Sequence, residues 1–190
     1  MEENRPRRFE SYRTTGEFEQ LDRGYRNHCG PTALTNLVLT LFDRAGQPPA
    51  EPKAVFRRAA GLGMRRLFYG NFNLLGRWGG TSDLLSPAYL RAVLRTFGLA
   101  DARVGLRRRL NEKTLERAAA QGEILYLQTR RHPRYGYHHL LCYGAARDPE
   151  GGEWQLRLAD GWTGRPVVVP LSAMPRCHFV PILPEGQKKE

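Results

Sequence analysis

The sequence predicts an α+β fold, and three observations predict it. As far as residue 120, apolar residues recur at three- and four-residue spacing, the period of a helix with one buried face. Beyond residue 123 the period drops to two, the period of a strand. The helices therefore come first and the strands afterwards, an order that segregates the helices from an antiparallel sheet.

Each element follows from its local pattern. Leu34, Leu37, Val38, Leu41 and Phe42 form an apolar stripe, and Gly30-Pro31 stand just before it, so a helix starts at or just after Cys29. It ends near Asp43, ahead of the Pro-rich segment 45–52. A second helix is expected over Pro52 to Ala60, with a separate short one around Met64. Gly70 to Gly80 is rich in Gly, Asn and aromatic residues and reads as a long loop. Ser82 and Asp83 are potential caps for an amphipathic helix over Tyr89 to Phe97. Asn111 caps a further helix over Glu112 to Ala120, closed by Gly122. Strands follow at Ile124–Thr129, at Tyr137–Gly144, at Trp154–Ala159 and at Pro166–Leu171, the last clear one. The second of these is apolar on both faces, which marks it as central. Residues 1–20 read as a polar arm and residues 185–190 as a disordered tail.

Composition narrows the function. The chain has 190 residues, 41% of them hydrophobic, enough for one core without covalent staples. Three cysteines, none at C-x-x-C spacing, exclude a disulfide framework and fit a reducing compartment. The opening twenty residues carry no apolar h-region, and no stretch is apolar for long enough to span a bilayer. A cytoplasmic protein is the expectation. The net charge of +11 is spread over scattered arginine pairs rather than one block, without interleaved stacking aromatics. This makes nucleic acid an unlikely partner and leaves peptides, acidic ones in particular, as the expected ligands. His28-Cys29 and Cys177-His178 are adjacent pairs, which lack zinc-ligand spacing, so neither metal nor cofactor is expected. The oligomeric state is left open.

Three residues in a particular order carry the candidate chemistry. Cys29 stands at a helix start, where unpaired N–H groups and the helix dipole favour a thiolate. Taken alone, it reads more readily as a small buried residue. His138 and His139 open a strand more than a hundred residues later, and each alone suits a structural role. Asp160 continues the inward face of Trp154, Leu156 and Leu158, so its carboxylate needs a buried partner. An imidazolium on the neighbouring strand is the expected one, with Trp162 covering the pair; an ordinary Asp-Gly turn is the alternative. A nucleophile at a helix N-terminus, a base on a strand and an acid on the next strand are the parts that cysteine-dependent acyl transfer requires.

The segments that carry these residues resemble a known family. Asn27-His28-Cys29-Gly30-Pro31-Thr32-Ala33-Leu34 is similar to the nucleophile motif of bacterial papain-like cysteine peptidases, among them the type that trims double-glycine leader peptides and its stand-alone relatives. Tyr137-His138-His139-Leu140-Leu141-Cys142-Tyr143-Gly144 resembles their histidine strand, and Leu158-Ala159-Asp160-Gly161-Trp162 their third-residue motif. The resemblance implies a papain-like fold over residues 21–184, with a helical lobe carrying the nucleophile helix and a twisted antiparallel sheet. It implies a peptidase whose triad is Cys29, His138 and Asp160. His138 has the family's five residues before the glycine and His139 is one short, so His139 is the alternative base. Where the family usually places an oxyanion-binding glutamine, this chain has Arg23, which leaves Asn27 as the oxyanion candidate. The expected geometry brings the Cys29 sulfur and the His138 ring within about 4 Å, with Asp160 on the far ring nitrogen. Two other functions fit the same residues: an acyltransferase or transglutaminase-like enzyme, and a catalytically silent basic binding protein.

Overall fold

A computed structural model of the chain describes residues 25–74, 78–148 and 152–184. The expected polar arm and tail lie outside the described residues.

Four α-helices and nine strands make up the described chain. Helix α1, Cys29–Arg44, is buried on every side from Gly30 to Leu41. Its threonines survive that burial because their hydroxyls bond back to the preceding turn: Thr35 to the Pro31 carbonyl at 2.8 Å and Thr40 to that of Asn36 at 2.7 Å. Helix α2, Pro52–Arg65, starts on Glu51, whose carboxylate accepts from the Lys53 N–H at 3.0 Å. The sequence pattern ended this helix at Ala60. Instead it runs on unbroken through Gly61 and Gly63 to Arg65, taking in the separate short helix expected around Met64. Gly63 is there for space, since a Cβ at that position would come within 2.5 Å of the Tyr89 hydroxyl.

The segment expected as a long loop is a hairpin, β1 (Tyr69–Leu74) and β2 (Trp78–Thr81). Glycine allows it: Gly79 and Gly80 have φ of +131° and +80°, and a Cβ on Gly79 would collide with the Phe72 carbonyl. Helix α3, Ser86–Thr96, begins earlier than expected, with a proline in its first turn. Two short strands follow, β3 (Arg103–Val104) and β4 (Arg108–Arg109). Helix α4, Glu112–Ala120, carries a reciprocal capping box between Asn111 and Thr114.

The remaining strands are β5 (Ile124–His132), β6 (Gly136–Arg147), β7 (Trp154–Ala159), β8 (Val167–Pro170) and β9 (His178–Leu183). Together with β3 and β4 they form one antiparallel sheet in the order β3-β9-β5-β6-β7-β8, with β4 also paired to β9. β9 lay past the last strand expected from sequence, yet it pairs with β5 over five residues. Pro181, at its centre, disguises it, because proline argues against an interior strand.

Alternation along these strands feeds two cores. Tyr126, Leu141, Ala159, Val180 and Ile182 face α1, α2 and α3. Leu127, Leu140, Cys142, Leu156, Leu158 and Phe179 face α4 with Leu115 and Ala118. The sheet is thus covered on both sides, which is why β6 reads as a continuous apolar run. Successive residues at the start of β6, His138 and His139, are sent to opposite faces of the sheet. Among the described residues, no helix is long and apolar enough to cross a membrane.

Candidate active site

Cys29 is the first residue of α1 and is partly exposed, whereas Cys142 and Cys177 are buried. Its thiol lies against the backbone N–H of His139 and the N–H groups of the helix start, all of which favour the thiolate. Burial outweighs them and, reinforced by the charge of Asp83, pushes the thiol up to about 11. The expected thiolate is therefore corrected to a neutral thiol. A helix terminus stabilises charge by a fraction of what desolvation removes.

His138 occupies the face shared with Leu140 and Cys142. Its Nε2 donates to the main-chain carbonyl of Asp160 at 2.7 Å. A carbonyl only accepts, so the ring proton of the neutral imidazole is on Nε2 and the lone pair on Nδ1. Tyr135 stacks on the ring at 5.9 Å and 11°, and the Trp162 ring lies 4.7 Å away. Burial holds His138 down at about 4, against the smaller upward pull of the Asp160 carbonyl. The imidazole is neutral at neutral pH.

Asp160 is fully buried, as the strand alternation predicted. Its carboxylate, however, does not reach the imidazole. Oδ1 accepts from the N–H groups of Trp162 and Thr163, both at 3.0 Å, and from the Thr163 hydroxyl at 3.1 Å. Arg134 Nη2 approaches Oδ2 at 3.7 Å. Gly161, at φ +73°, turns the chain at once and aims those N–H groups back at the side chain, an Asx-type turn. The main chain of Asp160 thus holds His138, while its carboxylate holds the turn that brings Trp162 over the ring.

His139 projects to the other face. Its Nε2 points to the Thr81 carbonyl at 3.2 Å and to Asp83 Oδ1 at 3.4 Å. Arg130 Nε binds the other oxygen of Asp83 at 2.8 Å. Burial lowers the His139 pKa against the opposing pull of Asp83 and Thr81. Its Nδ1 is buried and makes no hydrogen bond. Sequence reasoning had considered Asp83 only as a helix cap. No local pattern marks it otherwise, because its partner is 56 positions away in the chain.

Asn27 is also reassigned. It sits at φ +49°, and its Nδ2 donates to the Phe72 carbonyl at 3.1 Å. Its amide ties the approach to α1 to the hairpin, which leaves the main-chain N–H groups at the start of α1 as the oxyanion donors nearest the thiol.

Cys29 and the start of β6 are thereby brought together, with one imidazole on each side of the strand. Among the described residues, no hydrogen bond joins the thiol to either ring. Nor does any group of three His, Cys, Asp or Glu side chains stand ready to hold a metal ion. No protein-family model matches the chain, and no curated protein matches it significantly.

Proposed function

We propose that this chain is a papain-like cysteine hydrolase that cleaves a peptide or isopeptide bond, with Cys29 as nucleophile and His139 as base. One observation carries the reading. His139 projects to the side of β6 on which α1 packs, the Cys29 thiol lies against its N–H, and its Nδ1 is buried without a hydrogen bond.

The chemistry starts from a neutral pair, a thiol raised to about 11 and an imidazole whose pKa burial lowers. A preformed ion pair is disfavoured, so proton transfer accompanies attack. As Sγ bonds to the scissile carbonyl carbon, its proton passes to Nδ1 of His139. Asp83, beside Nε2–H, then stabilises the imidazolium. The oxyanion faces the N–H groups at the start of α1. His139 returns the proton to the departing amine. Water, deprotonated by the same nitrogen, then cleaves the thioester to release a carboxylic acid and restore the thiol. Substrate closure supplies the hydrogen bond between thiol and ring, as is common when catalytic hydrogen bonds tighten on binding. Three unpaired cysteines suit a reducing, cytoplasmic setting.

A second reading has its own observation. His138 has its Nε2 proton committed to the Asp160 carbonyl at 2.7 Å, which leaves Nδ1 basic, and the Trp162 ring lies against it. In that reading His138 is the base, and its ring meets Cys29 only once substrate binding turns it from the α4 side. A peptidyl electrophile, with labelling sites mapped by mass spectrometry, tests both. Labelling of Cys29 that is lost in His139→Ala and kept in His138→Ala supports the first reading, and the reverse pattern supports the second. Labelling that ignores both histidines, or falls on Cys142 or Cys177, overturns the enzyme reading. Product mass with and without an added amine separates hydrolysis from acyl transfer.

A further inference from the structure

Large apolar side chains left in water are informative when they gather. Of the eight that remain exposed among the described residues, five are attached to the candidate site: Phe72, Leu84, Leu85, Tyr137 and Trp162. The carbonyl of Phe72 holds Asn27, two residues before Cys29. Leu84 and Leu85 follow Asp83, whose carboxylate faces His139. Tyr137 directly precedes His138, and the Trp162 ring lies against His138. They come from four separate stretches of chain and from both sides of the β6 start.

Two arginines beside the same site already face carboxylates. Arg130 is bound by Asp83, and Arg134 faces Asp160 across 3.7 Å. Each of these arginines faces a carboxylate of the site.

Resting on the cysteine-hydrolase reading, we infer that the substrate is a polypeptide segment with large apolar side chains flanking the bond presented to Cys29, and not an acidic one. Phe72, Leu84, Leu85 and Tyr137 take the side chains on the α1 side of the strand, and Trp162 takes one on the other. An apolar side chain that leaves water on this surface gains affinity in proportion to the area covered, and an acidic one finds its counter-charges occupied.

The test separates binding from chemistry. Full-length protein carrying Cys29→Ala is titrated with fluorescent peptide pools of apolar, acidic and basic composition, at low and high salt. The apolar pool binds at least about tenfold more tightly than the acidic pool, with little effect of salt, and Leu84→Ser or Phe72→Ser weakens it by about tenfold. Both side chains are more than half exposed, so neither replacement threatens the fold. Circular dichroism confirms that each variant is folded. Equal or tighter binding of the acidic pool, or apolar binding indifferent to both variants, overturns the inference. So does a lack of binding by every pool. If the apolar pool binds Cys29→Ala but the unaltered protein cleaves none of it, the surface stands and the hydrolase reading falls.

Discussion

Alkylation of Cys29 should accelerate steeply with pH and show no plateau below pH 9. Burial raises this thiol to about 11, so at pH 7 only about one molecule in 10,000 carries the thiolate, and at pH 9 about one in 100. Only the thiolate attacks iodoacetamide, so the rate rises about a hundredfold between these two values. Cys142 and Cys177 are pushed further, to about 12, and are buried, so both lag Cys29 throughout. The sign of the linked stability sets the upper limit. A thiol raised above its ordinary 9.0 holds its proton longer in the folded chain than in the unfolded one. Stability from it is full below pH 9 and falls as pH rises towards 11, so labelling is read between pH 6 and 9. Rates are followed for each cysteine by quenched labelling, digestion and mass spectrometry. Asp83→Asn removes a charge that raises the thiol and should speed Cys29 at a given pH. A rate already level below pH 8 would refute the reasoning, because it would mean that an imidazole stabilises the thiolate in the resting protein. Equal rates at all three cysteines would refute the assignment of Cys29 itself.

Other expectations follow from single contacts. His138 is held at about 4 against an ordinary 6.5, so the unfolded chain takes up its proton first. Its contribution is full above pH 6.5 and lost as pH falls to about 4, about 3 kcal/mol in all, and urea titrations should show a smaller loss in His138→Gln. His132 Nδ1 accepts from the N–H groups of Arg134 and Tyr135, both at 3.1 Å, while Nε2 donates to the Ala173 carbonyl at 2.6 Å. His132→Ala should cost about 2–3 kcal/mol and loosen Tyr135 from His138, whereas His132→Asn, whose Oδ1 offers the same acceptor, should recover about half of it. Trp162 fluorescence, sensitive to Tyr135 at 5.2 Å, reports the loosening, and an Asn variant no better than Ala would exclude the turn-holding role. A Cβ at Gly30 would come within 1.9 Å of Thr81 Oγ1. Gly30→Ala should therefore destabilise by about 2 kcal/mol, read as a lower midpoint in thermal unfolding, and adding Thr81→Gly should relieve it.

What could be read from the chain alone was whatever short-range periodicity encodes. The apolar stripe at Leu34, Leu37, Val38 and Leu41 announced α1 and put Cys29 at its first turn. The Asn111 cap and the alternation of Trp154, Leu156 and Leu158 likewise announced α4, β7 and the inward Asp160. These features depend on neighbours within a few residues, and neighbours are what a sequence displays. Strand β9 and the glycine hairpin depend on distant partners that override local preference, and there the local signals misled. The site divides along the same line. Its residue types and their order were visible, but their contacts were not. The Asp160 carboxylate turns to Trp162 and Thr163 because Gly161 bends the chain there, and its carbonyl takes His138 instead. Asp83 joins the site through His139 and Arg130 once β5 and β6 lie beside the loop before α3. The protonation states were likewise beyond local reading. Cys29 and His138 are both neutral because the surrounding layers exclude water, and the depth of burial is a property of the whole packed chain.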